Sequence, residues 1–309
     1  MKYVYGPVPS RRLGFSLGVD LVPYKTCSLD CIYCQIGRTT QKSVERRLYA
    51  QKTDVLGEVK EVLNQKQRID YITFSGSGEP TLNSDIGEVI KGVKALTSIP
   101  VAVLTNGTLL FMEEVQKDLL NADVVLPSFD AASQRIFRSI NRPHNTLKIE
   151  AIIAGLKQFR KIYNGHIWLE VMLIRGLNDN LDEISKIKEA ISEICPDKVH
   201  LNTVIRPPSE KYAEPLDPAA IIAIRDFLGE GCGIIAEFHG KRHIEAQDVE
   251  ESVIEMAKRR PVTIVDIANV IGISEANAQQ MIKGLKAKSR LKEKQYHGEK
   301  YYSYHKCPK

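Results

Sequence analysis

The chain has 309 residues, of which 43% are hydrophobic and 26% are charged, and its formal net charge is +5. This composition is typical of a globular protein and excludes collagen-like, low-complexity and disordered chains. No segment approaches the ~18 consecutive apolar residues of a membrane span, and the N-terminus has no apolar signal core. We therefore expect a cytoplasmic protein without membrane contact, and the mild positive charge permits a nucleic-acid partner without requiring one.

Segments with strand-like and helix-like patterns alternate along most of the chain. A stretch rich in Gly, Pro and Arg, residues 6–14, precedes a first strand over residues 15–22, where apolar and polar residues alternate. Further strands are predicted over residues 71–74, 101–104, 123–126, 167–174, 198–204 and 234–238. Helices are predicted over residues 53–66, 84–97, 110–120, 146–163, 180–194 and 218–229. Because such alternation builds parallel sheets through right-handed crossovers, we predict an α/β fold with a partial or full parallel (β/α) barrel.

The last part of the chain has a different pattern. Residues 240–247 are charged and polar and read as a linker, which predicts one domain over residues 1–240 and a second over residues 248–309. The second domain is predicted to begin with a helix from residue 249 that ends at residues 259–261. Residues 263–274 then read as a short helix, a glycine turn and the N-cap of another helix, whose apolar face covers residues 278–285. A hairpin is predicted over residues 292–304. Three helices and a hairpin resemble a winged helix-turn-helix.

Three of the six cysteines lie within eight residues, and Cys27, Cys31 and Cys34 have the spacing C-x3-C-x2-C. Clustered cysteines in a cytosolic chain more often bind metal than form disulfides, and thiolates suit iron–sulfur clusters. Three ligands leave one iron of a [4Fe–4S] cluster open to a substrate or cofactor. A structural zinc site or a chance grouping is the alternative, but zinc needs four ligands, and no fourth Cys or His lies nearby in the sequence.

The loop after the strand over residues 71–74 reads Ser75-Gly76-Ser77-Gly78-Glu79-Pro80. Small residues let the backbone approach a ligand closely, and the Glu offers a carboxylate to a cationic amine. An ordinary turn with a helix-capping Glu is the alternative. Together with the cysteine spacing, this loop resembles the radical S-adenosylmethionine (radical SAM) superfamily, with Ser77 where that superfamily usually has glycine.

The resemblance covers roughly residues 10–240, and it implies a mechanism. The three cysteines hold a [4Fe–4S] cluster whose open iron binds S-adenosylmethionine, and an external one-electron donor of the flavodoxin or ferredoxin type reduces the cluster. Cleavage of S-adenosylmethionine yields methionine and a 5′-deoxyadenosyl radical, which abstracts hydrogen from the substrate. The resemblance also implies a set of cofactor-binding residues: Tyr33, Gly76, Ser77, Gly78, Glu79, Asn106, Ser128 and Val204. Ser128 belongs to the sequence Ser128-Phe129-Asp130, which resembles a motif of related enzymes.

Residues 9–20 and 31–35 resemble the subgroup of the superfamily that contains the wyosine-forming tRNA enzymes and their shorter, uncharacterised relatives. Those tRNA enzymes carry a second cluster on extra N-terminal cysteines, whereas this chain has no cysteine before Cys27. The resemblance points toward RNA without naming the reaction. The candidate substrate contacts in the first domain are Arg11, Arg12, Asn202 and Arg206, while Arg11 and Arg12 could also be ordinary surface charges.

Residues 283–300 concentrate positive charge, with seven basic and two acidic residues. Tyrosines interleave with these charges at positions 296, 301, 302 and 304. Basic and aromatic residues on a recognition helix and wing suit phosphate contact and base stacking, so Lys286 and Arg290 are candidate RNA contacts. A solvated helix face and a tyrosine-rich hairpin that recognise a protein are the alternative.

Three functions therefore stay open. The first is a radical SAM enzyme that acts on RNA, with tRNA as the expected substrate. The second is a radical SAM enzyme that acts on a protein or a small molecule, with the second domain as a docking module. The third is a DNA-binding regulator whose cysteines sense metal or redox state, although this hypothesis leaves the large α/β domain and Gly78-Glu79-Pro80 without a role.

Overall fold

An eight-stranded sheet forms the centre of the protein. The computed structural model describes residues 1–235 and 249–305. The strands within residues 1–235 are β1 (Val4–Ser10), β2 (Gly14–Val19), β3 (Thr26–Cys27), β4 (Gln41–Lys42), β5 (Tyr71–Phe74), β6 (Val101–Thr105), β7 (Val124–Pro127), β8 (His166–Leu173), β9 (Lys198–Thr203) and β10 (Cys232–Ile234). The large sheet has the order β1-β2-β5-β6-β7-β8-β9-β10, while β3 and β4 form a separate pair. Its neighbouring strands are parallel, except that β1 is antiparallel to β2.

Helices connect the parallel strands. Within residues 1–235 they are α1 (Lys52–Asn64), α2 (Ile86–Leu96), α3 (Glu113–Leu119), α4 (Gln134–Ile140), α5 (Ile149–Ile162), α6 (Leu181–Ile194) and α7 (Pro218–Leu228). Each buries an apolar stripe; α1, for example, buries Val55, Val59 and Val62 at helical spacing. The predicted α/β fold with a parallel sheet is therefore confirmed. Since β1 and β10 are the two edges of the sheet, the arrangement is an open, partial barrel.

Strand β1 was not expected, because its residues include Gly6, Pro7 and Pro9. Proline lacks the N–H that a central strand needs, but an edge strand tolerates it. The pairing of β1 with β2 also shifts register between Tyr5 and Val8, as at a bulge. The sequence pattern therefore concealed a strand that only an edge position permits.

The opposite edge ends earlier than predicted, since β10 covers Cys232–Ile234 rather than residues 234–238. Residues 236–238 and the predicted linker, residues 240–247, lie outside the described residues.

Helix α4 was not predicted, because a helix of seven residues presents few periods of apolar spacing. Across the described ranges, we find no helix with the length and apolarity needed to cross a membrane.

The two faces of the sheet pack against different groups, as the alternation of side chains along a strand requires. In β6, Val101 and Val103 join the large core that the helices cover, while Ala102 belongs to a separate apolar group on the other face. The buried members of that inner group are Leu13, Ala102, Val124, Leu126 and Trp168. This inner face leads to the candidate site.

The C-terminal segment, residues 249–305, forms its own apolar core. Its elements are α8 (Val249–Arg259), α9 (Ile264–Ile271), α10 (Glu275–Ala287), β11 (Leu291–Tyr296) and the antiparallel β12 (Glu299–Tyr304). Thr263 and Asp266 form a capping box at the start of α9, and Gly272 ends this helix with a φ of 74°. Ser274 caps α10 by accepting a hydrogen bond from the backbone N–H of the third residue after it. The local signals read from the sequence therefore act where they were predicted.

The C-terminal segment packs against the barrel on two sides. Helix α8 lies against β1, and Val8 of β1 packs against the core of the segment. The hydroxyl of Tyr296 donates to the carbonyl oxygen of Val204 at 3.2 Å, and that of Tyr301 donates to the carbonyl of Ile205 at 2.9 Å. The segment thus connects the edge strand β1 with the loop that follows β9.

The hairpin tyrosines stabilise the fold, which corrects the expectation that they stack on bases. Tyr301 and Tyr302 are only 9% and 4% exposed, and Tyr302 lies in the core of the C-terminal segment. Tyr304 packs against the same core, with the ammonium of Lys258 5.2 Å from its ring centroid. Tyr301 and Tyr302 are neighbours in β12 and point to opposite faces, so Tyr301 contacts the loop after β9 while Tyr302 fills the core of the C-terminal segment.

His200 makes the stability of the barrel depend on pH. Its Nδ1 is buried without a hydrogen-bond partner in the described part of the chain, and burial, with the charges of Arg12 and Lys198, lowers its pKa from 6.5 to about 4. The folded state therefore holds His200 neutral, and this contribution to stability is lost as the pH falls from 6.5 toward 4. We predict that the protein loses about 1 kcal/mol of unfolding free energy through this group between pH 7 and pH 5.

Urea unfolding of the native chain and of His200→Phe at the two pH values measures this contribution. The variant should lose less stability on acidification than the native chain, while His297→Asn at the exposed hairpin turn should behave as native. Equal pH dependence of native and His200→Phe proteins would contradict the assignment.

Candidate active site

A cavity of about 390 Å³ lies on the inner side of the sheet. Its wall is built by the loops after β2, β5 and β9, and by Glu170 and Met172 of β8. Parallel strands direct the loops that follow them to one edge of the sheet, which is why residues so far apart in the chain meet here. The cavity therefore lies where the fold class leads one to expect a functional site.

Of the three cysteines in the C-x3-C-x2-C sequence, Cys27 and Cys34 lie in the wall of this cavity. Cys31 lies outside the described wall but near both of them, close enough for their charges to act on its pKa. Each sulfur accepts a hydrogen bond from a nitrogen donor. The three contacts are Lys25 Nζ to Cys34 Sγ at 3.1 Å, Asn106 Nδ2 to Cys27 Sγ at 3.5 Å, and Asn141 Nδ2 to Cys31 Sγ at 3.5 Å. Hydrogen bonds to sulfur stabilise thiolate ligands and tune iron–sulfur clusters, so this donor set fits a sulfur-ligated cluster.

The thiols are poor nucleophiles in this environment. Burial raises the pKa of Cys27 to about 12, and the charge of Glu79 adds to the effect. Burial and the charge of Asp130 raise the pKa of Cys31 well above its ordinary value. Since a nucleophilic cysteine needs a lowered pKa, these residues are better suited to bind a metal, which displaces the thiol protons.

The described residues contain no group of three or more His, Cys, Asp or Glu side chains placed around one common metal-ion position. The cysteine ligands of an iron–sulfur cluster bind different irons and do not need to surround a single point. The three thiols are therefore compatible with such a cluster.

The loop after β5 is tied to the cysteine loop by its backbone. The amide of Lys25 donates to the carbonyl of Ser77 at 2.7 Å, and the amide of Glu79 donates to the carbonyl of Thr26 at 3.0 Å. A Cβ atom on Gly78 would lie 1.9 Å from that Thr26 oxygen. The glycine is therefore required by the approach of two protein loops, in addition to any approach of a ligand.

Asp20 holds the other half of this loop. Its carboxylate accepts hydrogen bonds from the backbone N–H and the hydroxyl of Ser77, at 3.0 and 2.5 Å. Gly76 has a φ of 147°, and a Cβ atom there would lie 2.4 Å from the Asp20 carboxylate carbon. The serine that replaces the usual glycine of the superfamily thus has a structural partner, and Gly76, Ser77 and Gly78 all line the cavity.

Glu79 is buried beside the cysteine loop. It is 1% exposed and does not belong to the cavity wall among the described residues. Its carboxylate accepts hydrogen bonds from the backbone and hydroxyl of Thr81, the hydroxyl of Thr105 and the backbone of Asn106, at 2.6–3.1 Å. These contacts join the ends of β5 and β6, and burial raises the pKa of this carboxyl. Its contact with a cationic amine stays a prediction.

Asp130 is a central residue of the site, although sequence analysis assigned it no role. Its carboxylate accepts three hydrogen bonds. The donors are the hydroxyl of Tyr33 at 2.5 Å, Asn141 Nδ2 at 2.6 Å and the backbone N–H of Met172 at 2.9 Å. Tyr33 lines the cavity as predicted. Ser128 was chosen instead of Asp130, but Ser128 lies outside the wall, with its amide bonded to the carbonyl of Thr105.

The predicted substrate contacts divide into two groups. Arg11, Arg12, Asn202 and Arg206 all line the cavity. Arg12 forms an ion pair with Glu170, and Asn202 Nδ2 donates to the same carboxylate at 3.1 Å.

Predicted site residues that do not line the cavity in the described part of the chain are Cys31, Glu79, Asn106, Ser128, Val204, Lys286 and Arg290. Val204 is a buried core residue, and Lys286 pairs with Glu293.

Sequence analysis missed the contribution of α8 and the residues after it. Met256 and Arg260 belong to the C-terminal segment and line the same cavity. The run Arg259-Arg260-Pro261 was interpreted only as the end of a helix. A basic residue directly before a proline gave no signal of its own, because its position depends on how α8 packs against β1.

Gly78→Ala tests the contact between the two loops. The added Cβ meets a backbone oxygen that cannot move alone, so we expect the unfolding free energy to fall by about 2 kcal/mol or more. Gly57→Ala in α1 is the control, since its Cβ meets nothing within 4 Å and alanine should stabilise the helix by about 0.5–1 kcal/mol. Equal stability of the two variants in urea unfolding would contradict the close contact.

Comparison with known proteins agrees with the geometry. The model of the radical SAM superfamily matches residues 21–187. The chain is 35% identical over 312 residues to a UPF0026 protein of Methanocaldococcus jannaschii, covering 98% of this chain and 96% of that protein. It is 36% identical over 301 residues to a protein of Brachyspira hyodysenteriae named GTPase Obg, covering 96% of this chain but only 44% of that longer protein.

More distant similarity reaches RNA enzymes and solved structures. The chain is 24% identical over 256 residues to a dual-specificity RNA methyltransferase of Bdellovibrio bacteriovorus, covering 79% of this chain and 60% of that protein. A radical SAM methyltransferase from Sphaerobacter thermophilus shares the fold with a TM-score of 0.55 and 15% identity, covering 71% of this chain and 65% of that chain. The chain therefore belongs to the radical SAM superfamily and, within it, is an enzyme of the UPF0026 family.

Proposed function

We propose that this enzyme uses a [4Fe–4S] cluster and S-adenosylmethionine to abstract hydrogen from an RNA substrate, with tRNA as the expected RNA. Cys27, Cys31 and Cys34 hold the cluster, and Tyr33 and Gly76 to Gly78 hold S-adenosylmethionine. When bound and reduced by an external donor of the flavodoxin or ferredoxin type, the cluster supplies the electron that cleaves S-adenosylmethionine to a 5′-deoxyadenosyl radical. The observation that carries the proposal is the set of three sulfurs, each with its own nitrogen donor, beside one cavity.

The residues around the sulfurs orient and stabilise this ligand set. Lys25 is buried, and its ammonium 3.1 Å from Cys34 Sγ places a positive charge beside a thiolate. Asn106 and Asn141 are held in turn, because Asn106 Nδ2 also donates to the hydroxyl of Ser28 at 2.8 Å and Asn141 Nδ2 to Asp130. Such outer contacts fix ligand orientation and adjust the redox potential.

The cavity wall also suits radical chemistry. Leu13, Leu104 and Met172 contribute apolar surface to it, and a site poor in water protects reactive intermediates. Tyr33, fixed by its hydrogen bond to Asp130, offers an aromatic face to the cavity. These residues position a bound molecule and exclude solvent, while the bond cleavage itself depends on the bound cofactors.

Replacing one cysteine tests the cluster. Cys31→Ala should lower iron content and reduce 5′-deoxyadenosine release by more than about 100-fold, because even the loss of a group next to a metal ligand costs about 10–100-fold. The measurement is anaerobic reconstitution, followed by dithionite, S-adenosylmethionine and chromatography of the products. Cys195→Ala is the control, since Cys195 is exposed. Tetrahedral zinc in oxygen-free protein, or full turnover by Cys31→Ala, would contradict the proposal.

The RNA substrate is supported by the surface of the C-terminal segment, which we interpret as a winged helix. Lys283, Lys292 and Lys294 are exposed and form no ion pair with the described residues. Other basic side chains of this surface are neutralised, through the pairs Lys286–Glu293, Lys300–Glu293 and Lys288–Glu250. Because the tyrosines are buried, we expect binding through phosphates rather than stacked bases. The similarity to an RNA methyltransferase is consistent with this substrate.

Charge removal tests the RNA contact. Substituting Lys283, Lys292 and Lys294 together by Ala should weaken tRNA binding about ten-fold and lower the slope of log Kd against log salt by about 3, since each phosphate contact contributes nearly one to that slope. Fluorescence anisotropy of labelled tRNA gives both values.

The matched control removes the same charge from the barrel, by Ala at Lys60, Lys148 and Lys161, all exposed. Equal loss in both triple variants, or an unchanged profile of modified nucleosides in tRNA from a deletion strain, would contradict an RNA substrate.

A further inference from the structure

Four arginines line the same cavity, and three of them come from distant parts of the chain. Arg12, next to Arg11, follows β1, Arg206 follows β9, and Arg260 follows α8 of the C-terminal segment. They lie close enough that burial and the charges of Arg11, Arg206 and Arg260 lower the pKa of Arg12 to about 10. Burial and the charge of Arg206 likewise lower the pKa of Arg260 to about 10. Arg12 and Arg260 are nevertheless cationic at neutral pH.

The carboxylates around these arginines neutralise them only in part. Glu170 pairs with Arg12, and it is the only carboxylate in the described wall of the cavity. Asp266 lies 3.4 Å from Arg206 Nη2, within hydrogen-bond distance, and 3.8 Å from Arg260 Nη2, beyond that distance. Among the described residues, Arg12, Arg206 and Arg260 thus share two carboxylates, and Arg11 and Lys25 also belong to the wall.

Arg260 has an unmet requirement for an acceptor. Its Nη2 is buried and has no hydrogen-bond partner among the residues that the structure describes, and its side chain is only 20% exposed. A buried charged donor left without an acceptor is strongly unfavourable. An anion in the cavity would satisfy that donor and offset the repulsion among the three arginines. Planar guanidinium groups bind phosphate and carboxylate oxygens through paired N–H groups.

The position of the arginines in the chain separates two kinds of anion. S-adenosylmethionine also carries a carboxylate, and its binding is common to the superfamily. Arg12, Arg206 and Arg260 all lie outside residues 21–187, which match the superfamily model. Arg260 moreover belongs to the C-terminal segment. This placement favours the substrate, which differs among enzymes of the superfamily, over the shared cofactor.

We propose that Arg12, Arg206 and Arg260 form a binding site for a phosphate group of the substrate, next to the nucleotide that reacts. This proposal rests on the proposed function, in which the substrate is RNA. It gives the C-terminal segment a second task, since Arg260 completes the cavity while the exposed lysines of the same segment contact RNA outside it. The phosphate that binds the arginines fixes which nucleotide enters the cavity.

Nucleotide binding to the reconstituted holoenzyme at saturating S-adenosylmethionine tests the site. The probes are the four ribonucleoside 5′-monophosphates, the four nucleosides and a dinucleoside monophosphate, measured by isothermal titration calorimetry at constant ionic strength. We expect at least one monophosphate to bind roughly ten-fold or more tightly than its nucleoside. Arg260→Gln should remove at least about ten-fold of that preference, whereas Arg138→Gln on the exposed side of α4 should retain it.

Two results would overturn the proposal. One is that no phosphate compound binds more tightly than its nucleoside counterpart. The other is competition between the nucleotides and S-adenosylmethionine, which would assign the arginines to the cofactor carboxylate.

A second variant guards against misfolding. Arg260→Lys keeps the charge but loses the planar fork, so it should bind phosphate more weakly than native and more tightly than Arg260→Gln. Inorganic phosphate should also raise the thermal midpoint of the native holoenzyme relative to chloride of equal ionic strength. Identical affinities for Arg260→Lys, Arg260→Gln and native protein would contradict the proposal.

The outcome is distinguishable from failure of the proposed function. A preference for the dinucleoside monophosphate over the monophosphates supports a phosphate within an RNA chain. A preference for free monophosphates, with no binding of tRNA, leaves the arginine site intact and overturns the RNA substrate. Absence of 5′-deoxyadenosine together with intact phosphate binding overturns the proposed chemistry alone.

Discussion

Two backbone hydrogen bonds between neighbouring loops hold the candidate site together. They run from Lys25 to Ser77 and from Glu79 to Thr26, and they join the loop with the cysteines to the loop after β5. Buried backbone groups must be paired, so the two loops adopt one shared conformation. Gly78 permits it, since its position has no space for a side chain. The placement of the thiols and of the expected cofactor site depends on this contact.

The C-terminal segment contributes to the candidate active site. Its hairpin is fixed to the loop after β9 through Tyr296 and Tyr301, its first helix lies against β1, and Arg260 reaches the cavity. An open sheet leaves its inner face accessible at the edges, and the segment lies beside the edge strand β1 and beside the loop after β9, the strand next to the other edge. In the proposed function, RNA bound by the segment outside the cavity would therefore lie close to the chemistry inside it.

The features that could be predicted from sequence are those whose chemistry is local. Cysteine spacing, the glycine-rich loop and the alternation of strands and helices depend only on residues close in the chain, and the predicted fold followed from them. Asp130, Asn141 and Arg260 were missed because they have partners distant in sequence, whereas Lys25 lies nine residues from Cys34 and gave no pattern of its own. For Asn141 and Cys31, the partners are 110 positions apart, and no periodicity reveals such a pair.

Sequence patterns could not show which way these side chains point. The hairpin tyrosines interleave with basic residues, yet Tyr301 and Tyr302 lie on opposite faces of β12 and both are buried, one against the loop after β9 and one in the core of the C-terminal segment. Glu79 is predicted to contact the cofactor, and in the structure four hydrogen bonds hold its carboxylate inside the protein. A sequence pattern identifies a polar or aromatic residue as special, while the direction of its side chain is decided by tertiary packing.

Mössbauer spectroscopy of the native protein, enriched in iron-57 and kept free of oxygen, tests the central claim most directly. Three sulfur ligands predict one four-iron cluster per chain, in which S-adenosylmethionine changes the signal of a single iron and leaves the other three as they were. A protein that takes up no four-iron cluster, or a cluster whose spectrum is the same with and without S-adenosylmethionine, would contradict it.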